Sequence, residues 1–181
     1  ISFQKREKGL SHQIKMPEIP GPEKLKSDLE LRQDVQKKIP KDYLPMWLRE
    51  REIETRQVEP MDLLKVEKLP PYRSTWMKPV GKLPADERIH QALLLYVSDM
   101  GLLGAAVNPH EVNFMSKKFQ SASLDHVMWF HGKVNFNNWI LHHMHSPISS
   151  GARGFSRGSI YTKGGKLIAS TAQEGLMRVW E

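Results

Sequence analysis

The sequence predicts an α+β fold in which a curved antiparallel sheet wraps one long central helix. Three observations predict it. Residues 89–97 are apolar almost throughout, so a helix there carries apolar groups on nearly all sides and must be buried on nearly all sides. Four strand-like runs follow: Ala122–His131, Trp139–His145, Gly154–Thr162 and Leu167–Trp180. The last two are joined through Lys163-Gly164-Gly165-Lys166, and paired glycines between such runs signal a hairpin.

The elements follow in chain order, in two regimes that meet near residue 70. Leu25, Leu29, Leu31 and Val35 recur at loosely helical spacing, which predicts a surface helix over Lys24–Lys38. Pro40 and Pro45 interrupt any continuation. Ile53–Glu59 alternates enough for a short strand, closed by Pro60. Residues 1–70 therefore read as a linker and wrapping segment that carries the first strand and a surface helix. Residues 71–181 read as the C-terminal domain. Within it, Tyr72–Val80 holds Trp76 and the β-branched Thr75 and Val80, as a strand would. Pro84 and the acids Asp86-Glu87 then open the central helix, expected over residues 86–103. Strand, buried helix and antiparallel strands, in that order, make the hot-dog fold.

Composition narrows the function classes. With 39% hydrophobic and 26% charged residues the chain is of folded, globular type. Having no cysteine, it has no disulfide, thiol nucleophile or thiolate metal site. The net charge of +7 favours an anionic partner, but the charges are interleaved: residues 1–60 hold 13 basic and 11 acidic groups. A nucleic-acid footprint is a denser stripe, so no nucleic-acid partner is expected. No apolar run reaches the roughly 18–20 residues that cross a bilayer, so no membrane span is expected either. The opening Ile1-Ser2-Phe3-Gln4-Lys5-Arg6 lacks both an initiator Met and an apolar secretory core, and predicts a piece of a longer chain.

Several residues could carry chemistry. Asp99 falls near the C-terminal end of the apolar helix, where the helix dipole disfavours an anion. It either faces solvent or serves a function, since burying an unpaired carboxylate is costly. Gln173 shares the 167–179 strand face with Leu167, Ala169, Thr171, Gly175, Met177 and Val179. An amide among such residues requires a polar partner, whether structural or functional. Ser123 and Asp125 share a strand face with Val127 and Trp129, which turns His126 to the other side. Ser123 then has no base on its own face and is suited to holding a water or a carbonyl oxygen. His126, His131, His142, His143 and His145 do not converge with carboxylates, so no metal is expected and they read as edge histidines. Arg153-Gly154 and Arg157-Gly158, after Ser149-Ser150-Gly151, read either as a glycine-rich turn or as a phosphate approach.

Linked motifs resemble a known family. Leu124-Asp125-His126-Val127-Met128-Trp129-Phe130-His131 resembles a strand segment of the type II acyl-CoA thioesterases, including the peroxisomal eukaryotic enzymes. Ser149-Ser150-Gly151-Ala152-Arg153-Gly154 and Ala172-Gln173-Glu174-Gly175-Leu176-Met177-Arg178 resemble the later motifs of that family. His12-Gln13, Met16-Pro17 and Tyr96-Val97-Ser98-Asp99 fall upstream in the expected order. The resemblance implies a double hot-dog, with two such units in one polypeptide. It implies an active site in which an Asp, a Ser or Thr, and a Gln position a water for attack on the thioester. Those positions fall on Asp99, Ser123 and Gln173. Fatty acyl-CoA is then the expected substrate, no cofactor is implied, and a second hot-dog unit is expected in cis or in a homo-oligomer. The implied location is the peroxisomal matrix in a eukaryote and the cytoplasm otherwise. Val179-Trp180-Glu181 carries no Ser-Lys-Leu-type address, and a shortened chain would explain this together with the absence of a first unit.

Two rival readings stand beside this one. A hot-dog hydratase would want an acid two residues before Asn108-Pro109-His110, where Ala106 stands. A non-catalytic hot-dog that binds acyl-CoA or a partner subunit is the alternative to hydrolysis.

Overall fold

The computed structural model describes residues 2–5, 7–60, 65–112, 114 and 116–180. Ile1, Arg6 and Glu181, named above at the chain ends, lie outside them. Seven strands form one antiparallel sheet: β1 (Ile53–Gln57), β2 (Tyr72–Pro79), β3 (Phe119–Ser123), β4 (Val127–Phe130), β5 (Ile140–Ser150), β6 (Arg153–Thr162) and β7 (Leu167–Val179). Their order is β1-β2-β5-β6-β7-β3, and β4 also pairs with β7. The expected α+β hot-dog, a curved antiparallel sheet around an inner helix, is present.

The predicted surface helix is shorter than its apolar spacing suggested. It is α1 (Asp28–Asp34), begun by a capping box in which Ser27 and Glu30 satisfy each other's backbone N–H groups. A short α2 (Leu44–Trp47) starts with Pro45 in its first turn, where proline is tolerated.

The central helix is two helices. In α3 (Glu87–Ser98), the Asp86 side chain caps the N-terminus by accepting from the Arg88 N–H. Gly101, at φ 82°, then takes the left-handed conformation that glycine adopts without steric cost. From it starts α4 (Leu102–Val107). Asp99 and Met100 thus fall in a break, not inside the continuous 86–103 helix that apolar content predicted. Burial also differs from expectation. Leu94, Val97 and Ser98 are fully buried, but Ile89, Leu95, Tyr96 and Met100 are 42%, 44%, 65% and 44% exposed. The sheet covers one side of α3, and its opposite apolar side stays open. Against the expectation of no membrane span, the stretch Glu87–Val107 has the length and apolar content of one, although polar residues interrupt its apolar run. Its place against the sheet is that of a core helix, for α4 packs on β5 and β6.

The sheet buries both faces. On the inner face Leu94 and Val97 meet Met77, Ile140, Ile160 and Ile168. On the outer face Trp76, Leu141 and Tyr161 form a second apolar cluster, covered by Met16, Ile19 and Leu25 of the N-terminal arm. Polar contacts fix the arm. The Trp76 indole donates to the Pro20 carbonyl at 3.0 Å, and Arg56 donates to the carbonyls of Pro22 and Leu25. Gln13 clasps the β6–β7 turn, donating to Gly165 O at 2.8 Å and accepting from Leu167 N at 3.1 Å. Strict alternation along β7 fails at its start. The register shifts between Ile160 and Tyr161, so Leu167 lies in the outer cluster while Ile168 and Ala169 lie in the inner one.

Candidate active site

The break between α3 and α4 sets Asp99 beside the inner face of β7 and the end of β3. Two donors converge on its carboxylate. Ser123 Oγ donates to Asp99 Oδ1 at 3.0 Å, and Gln173 Nε2 donates to the same oxygen. Asp99 Oδ2 has no hydrogen-bond partner among the described residues. The three residues singled out in the sequence are therefore neighbours, drawn from a helix end, a strand end and the middle of a long strand. Their burial is unequal: Gln173 is 1% exposed, whereas Asp99 and Ser123 are exposed at the rim. Water reaches the carboxylate from outside while the amide anchors it from inside.

Alternation misplaced His126. Residues 124–126 are not in a strand, so the run expected over Ala122–His131 is split into β3 and β4. Leu124 N and Asp125 N both point to the Glu174 carbonyl, and the Asp125 carboxylate accepts from Glu174 N at 2.8 Å. The irregular turn brings His126 to the helix, where its Nε2 lies 2.8 Å from the buried Ser98 Oγ. Burial pushes the His126 imidazole below its ordinary value, and the charges of Asp99 and Asp125 oppose that shift. Ser98 was given no role of its own from the sequence, although it stands in the Tyr96-Val97-Ser98-Asp99 motif.

No group of three His, Asp or Glu residues able to hold a metal ion occurs among the described residues. The histidines are not all edge residues. β5 lies inside the sheet, and His142 is fully buried, with its Nε2 3.3 Å from Thr171 Oγ1. Burial pushes its imidazole down to about 3, so it is neutral at physiological pH. Gly158 of β6 makes the contact possible. A Cβ there would stand 2.1 Å from His142 Nε2 and 2.3 Å from Thr171 Oγ1. Gly154 likewise faces inward, where a Cβ would meet Ala106 of α4 at 2.6 Å. The sharp turn before it uses positive φ at Gly151 and Ala152, 58° and 59°, as tight hairpins require.

The sheet and its inner helix place the chain among hot-dog proteins. The particular family is shown by comparison: the chain belongs to the acyl-CoA thioesterase family, whose model matches residues 47–176. It is 37% identical over 180 residues to acyl-CoA thioesterase 2 of Haemophilus influenzae, an alignment covering 99% of this chain and 63% of that protein. A crystal structure of an acyl-CoA thioesterase II from Mycobacterium marinum superposes with a TM-score of 0.73 at 33% identity, over 97% of this chain and 60% of that one. A peroxisomal acyl-coenzyme A thioester hydrolase of Saccharomyces cerevisiae is 33% identical over 91 residues, which is 50% of this chain and 26% of that protein. The chain thus spans about three fifths of the length of the first two relatives.

Proposed function

We propose that this chain carries the water-activating site for hydrolysis of fatty acyl-CoA thioesters to free fatty acid and coenzyme A. The observation that carries the reading is the convergence of Ser123 and Gln173 on one oxygen of Asp99, in a chain of this family. Asp99 acts as general base, taking a proton from water as the water oxygen attacks the thioester carbonyl. Gln173 and Ser123 orient the carboxylate and that water, since an amide and a hydroxyl each both donate and accept. The tetrahedral intermediate then collapses. Its carbon–sulfur bond breaks, and the departing coenzyme A thiolate recovers the proton from Asp99. A backbone N–H is the donor this reading assigns to the thioester oxygen.

The same reading divides the chain into a wrapping segment, residues 1–70, and a C-terminal hot-dog unit, residues 71–181. It pairs that unit with a second hot-dog, in cis or as a homo-oligomer. The open apolar side of α3 supports the pairing, as does the nearby β4, where Trp129 is 52% exposed. The yeast relative's name supports a peroxisomal location in a eukaryote, and a cytoplasmic one is proposed otherwise. Release of free thiol from a long-chain acyl-CoA by the purified full-length protein tests the function. Binding of acyl-CoA without thiol release would favour a non-catalytic hot-dog instead.

A further inference from the structure

Three buried polar atoms without a hydrogen-bond partner among the described residues belong to one patch of the inner sheet face: Gln173 Oε1, Ser156 Oγ and His142 Nδ1. Sheet register joins them. Ser156 of β6 stands directly opposite Gln173 of β7, and Gly158 stands opposite Thr171. His142 reaches across Gly158 to the Thr171 hydroxyl. Ser156 and Gln173 are each 1% exposed, Thr171 is 3% and His142 is 0%, so bulk water satisfies none of them.

A carboxylate only accepts hydrogen bonds, so Gln173 must present Nε2 to Asp99 and turn Oε1 away from it. Directly opposite residues have Cβ atoms about 4.5–5.5 Å apart, which places the Ser156 hydroxyl in range of one intervening water. A buried water makes about three hydrogen bonds to groups that otherwise lack partners, and Gln173 Oε1 and Ser156 Oγ, on directly opposed residues, are two such atoms.

We propose that Ser156 is a positioning residue for Gln173, acting through one buried water that donates to Gln173 Oε1 and is held by the Ser156 hydroxyl and the His142–Thr171 pair. The water fixes the orientation of the amide, and with it the bond from Nε2 to Asp99. Its kinetic consequence rests on the thioesterase reading above, but its structural consequence does not.

Two measurements on the full-length protein test it. A high-resolution crystal structure should show a water within hydrogen-bond distance of both Ser156 Oγ and Gln173 Oε1. The Ser156→Ala variant should lose that water. Density empty of water there, or a direct bond between the two side chains, overturns the proposal whether or not the protein hydrolyses thioesters. Kinetically, Ser156→Ala should lower kcat roughly five- to twentyfold, the scale of one hydrogen bond, with KM nearly unchanged. Ser156→Thr, which keeps the hydroxyl, should recover most of that loss. In a Gln173→Ala background, Ser156→Ala should have no further effect, because its influence passes through the amide. An equal loss in both backgrounds would show that Ser156 merely supports the core.

Discussion

Ser123 Oγ and Asp99 Oδ1 lie 3.0 Å apart although 24 residues separate them in the chain. The contact exists because β3 stops at Ser123 and α3 stops just before Asp99, so a strand end and a helix end meet at the rim of the sheet. The substitution Asp99→Asn keeps the size of that side chain and removes its ability to accept a proton from water. Thiol release should fall by roughly 10²–10⁴, the range of general acid–base catalysis. A correctly folded variant with near-normal turnover would refute the role of Asp99.

Gln173→Ala and Ser123→Ala remove the two donors to the carboxylate. Each should lower kcat more than it raises KM, because the bonds orient the attacking water and not the acyl chain. Steady-state kinetics on one acyl-CoA substrate decides this. Mass spectrometry supplies a harsher check, since an acyl group trapped on Ser123 would replace direct water attack with a covalent route.

His142 makes stability depend on pH. Its folded imidazole titrates at about 3 because burial disfavours the cation, whereas in the unfolded chain it keeps its ordinary value of about 6.5. Between those values the unfolded state binds more protons. His142 therefore costs no stability above the upper value and removes about 1.4 kcal/mol per pH unit as pH falls towards the lower one. His126 and His143, also lowered by burial, add to the same trend. Urea midpoints measured from pH 7 to pH 4 should fall, and His142→Gln should flatten the slope. An unchanged slope in that variant would show that His142 is not the buried titrating group.

Gly158→Ala tests the contact across β6. The new methyl would collide with two side chains that are themselves buried, so a loss of about 1–3 kcal/mol is expected. Thermal or urea unfolding would report it. An unshifted midpoint would mean that His142 and Thr171 separate without cost.

The open side of α3 should be covered in solution. Sedimentation of the isolated 181-residue chain at micromolar concentration should show self-association, and Tyr96→Glu should weaken it. A stable monomer of the parent chain would refute the pairing.

Much of this architecture was legible in the sequence because its signals are local. Strands β5 to β7 fall on the strand-like runs, and Gly164-Gly165 marks their second turn. Gln173 stood out as an amide among Ala, Gly and Met, and Asp99 as an acid at the wrong end of a helix. What escaped depends on contacts between distant segments. The turn at residues 124–126 is held by Glu174, so alternation alone turned His126 the wrong way. His142 read as an edge residue because only the missing side chain of Gly158, on the neighbouring strand, gives it room. Apolar content located the helix, but it could not reveal that Gly101 divides it or that the sheet covers one side.

The clasp formed by Gln13 joins residues 152 and 154 positions apart. During synthesis it can close only after residues 165–167 have left the ribosome. Until then the arm over the outer patch of Trp76, Leu141 and Tyr161 is held by its bonds from Trp76 and Arg56 without the clasp. A nascent chain would pass through a stage in which the back of the sheet is only partly fastened, leaving apolar surface of the kind that chaperones bind and that aggregates when crowded. The arm is thus a late fastening whose loss would be felt first as poor yield during expression, before any defect in chemistry.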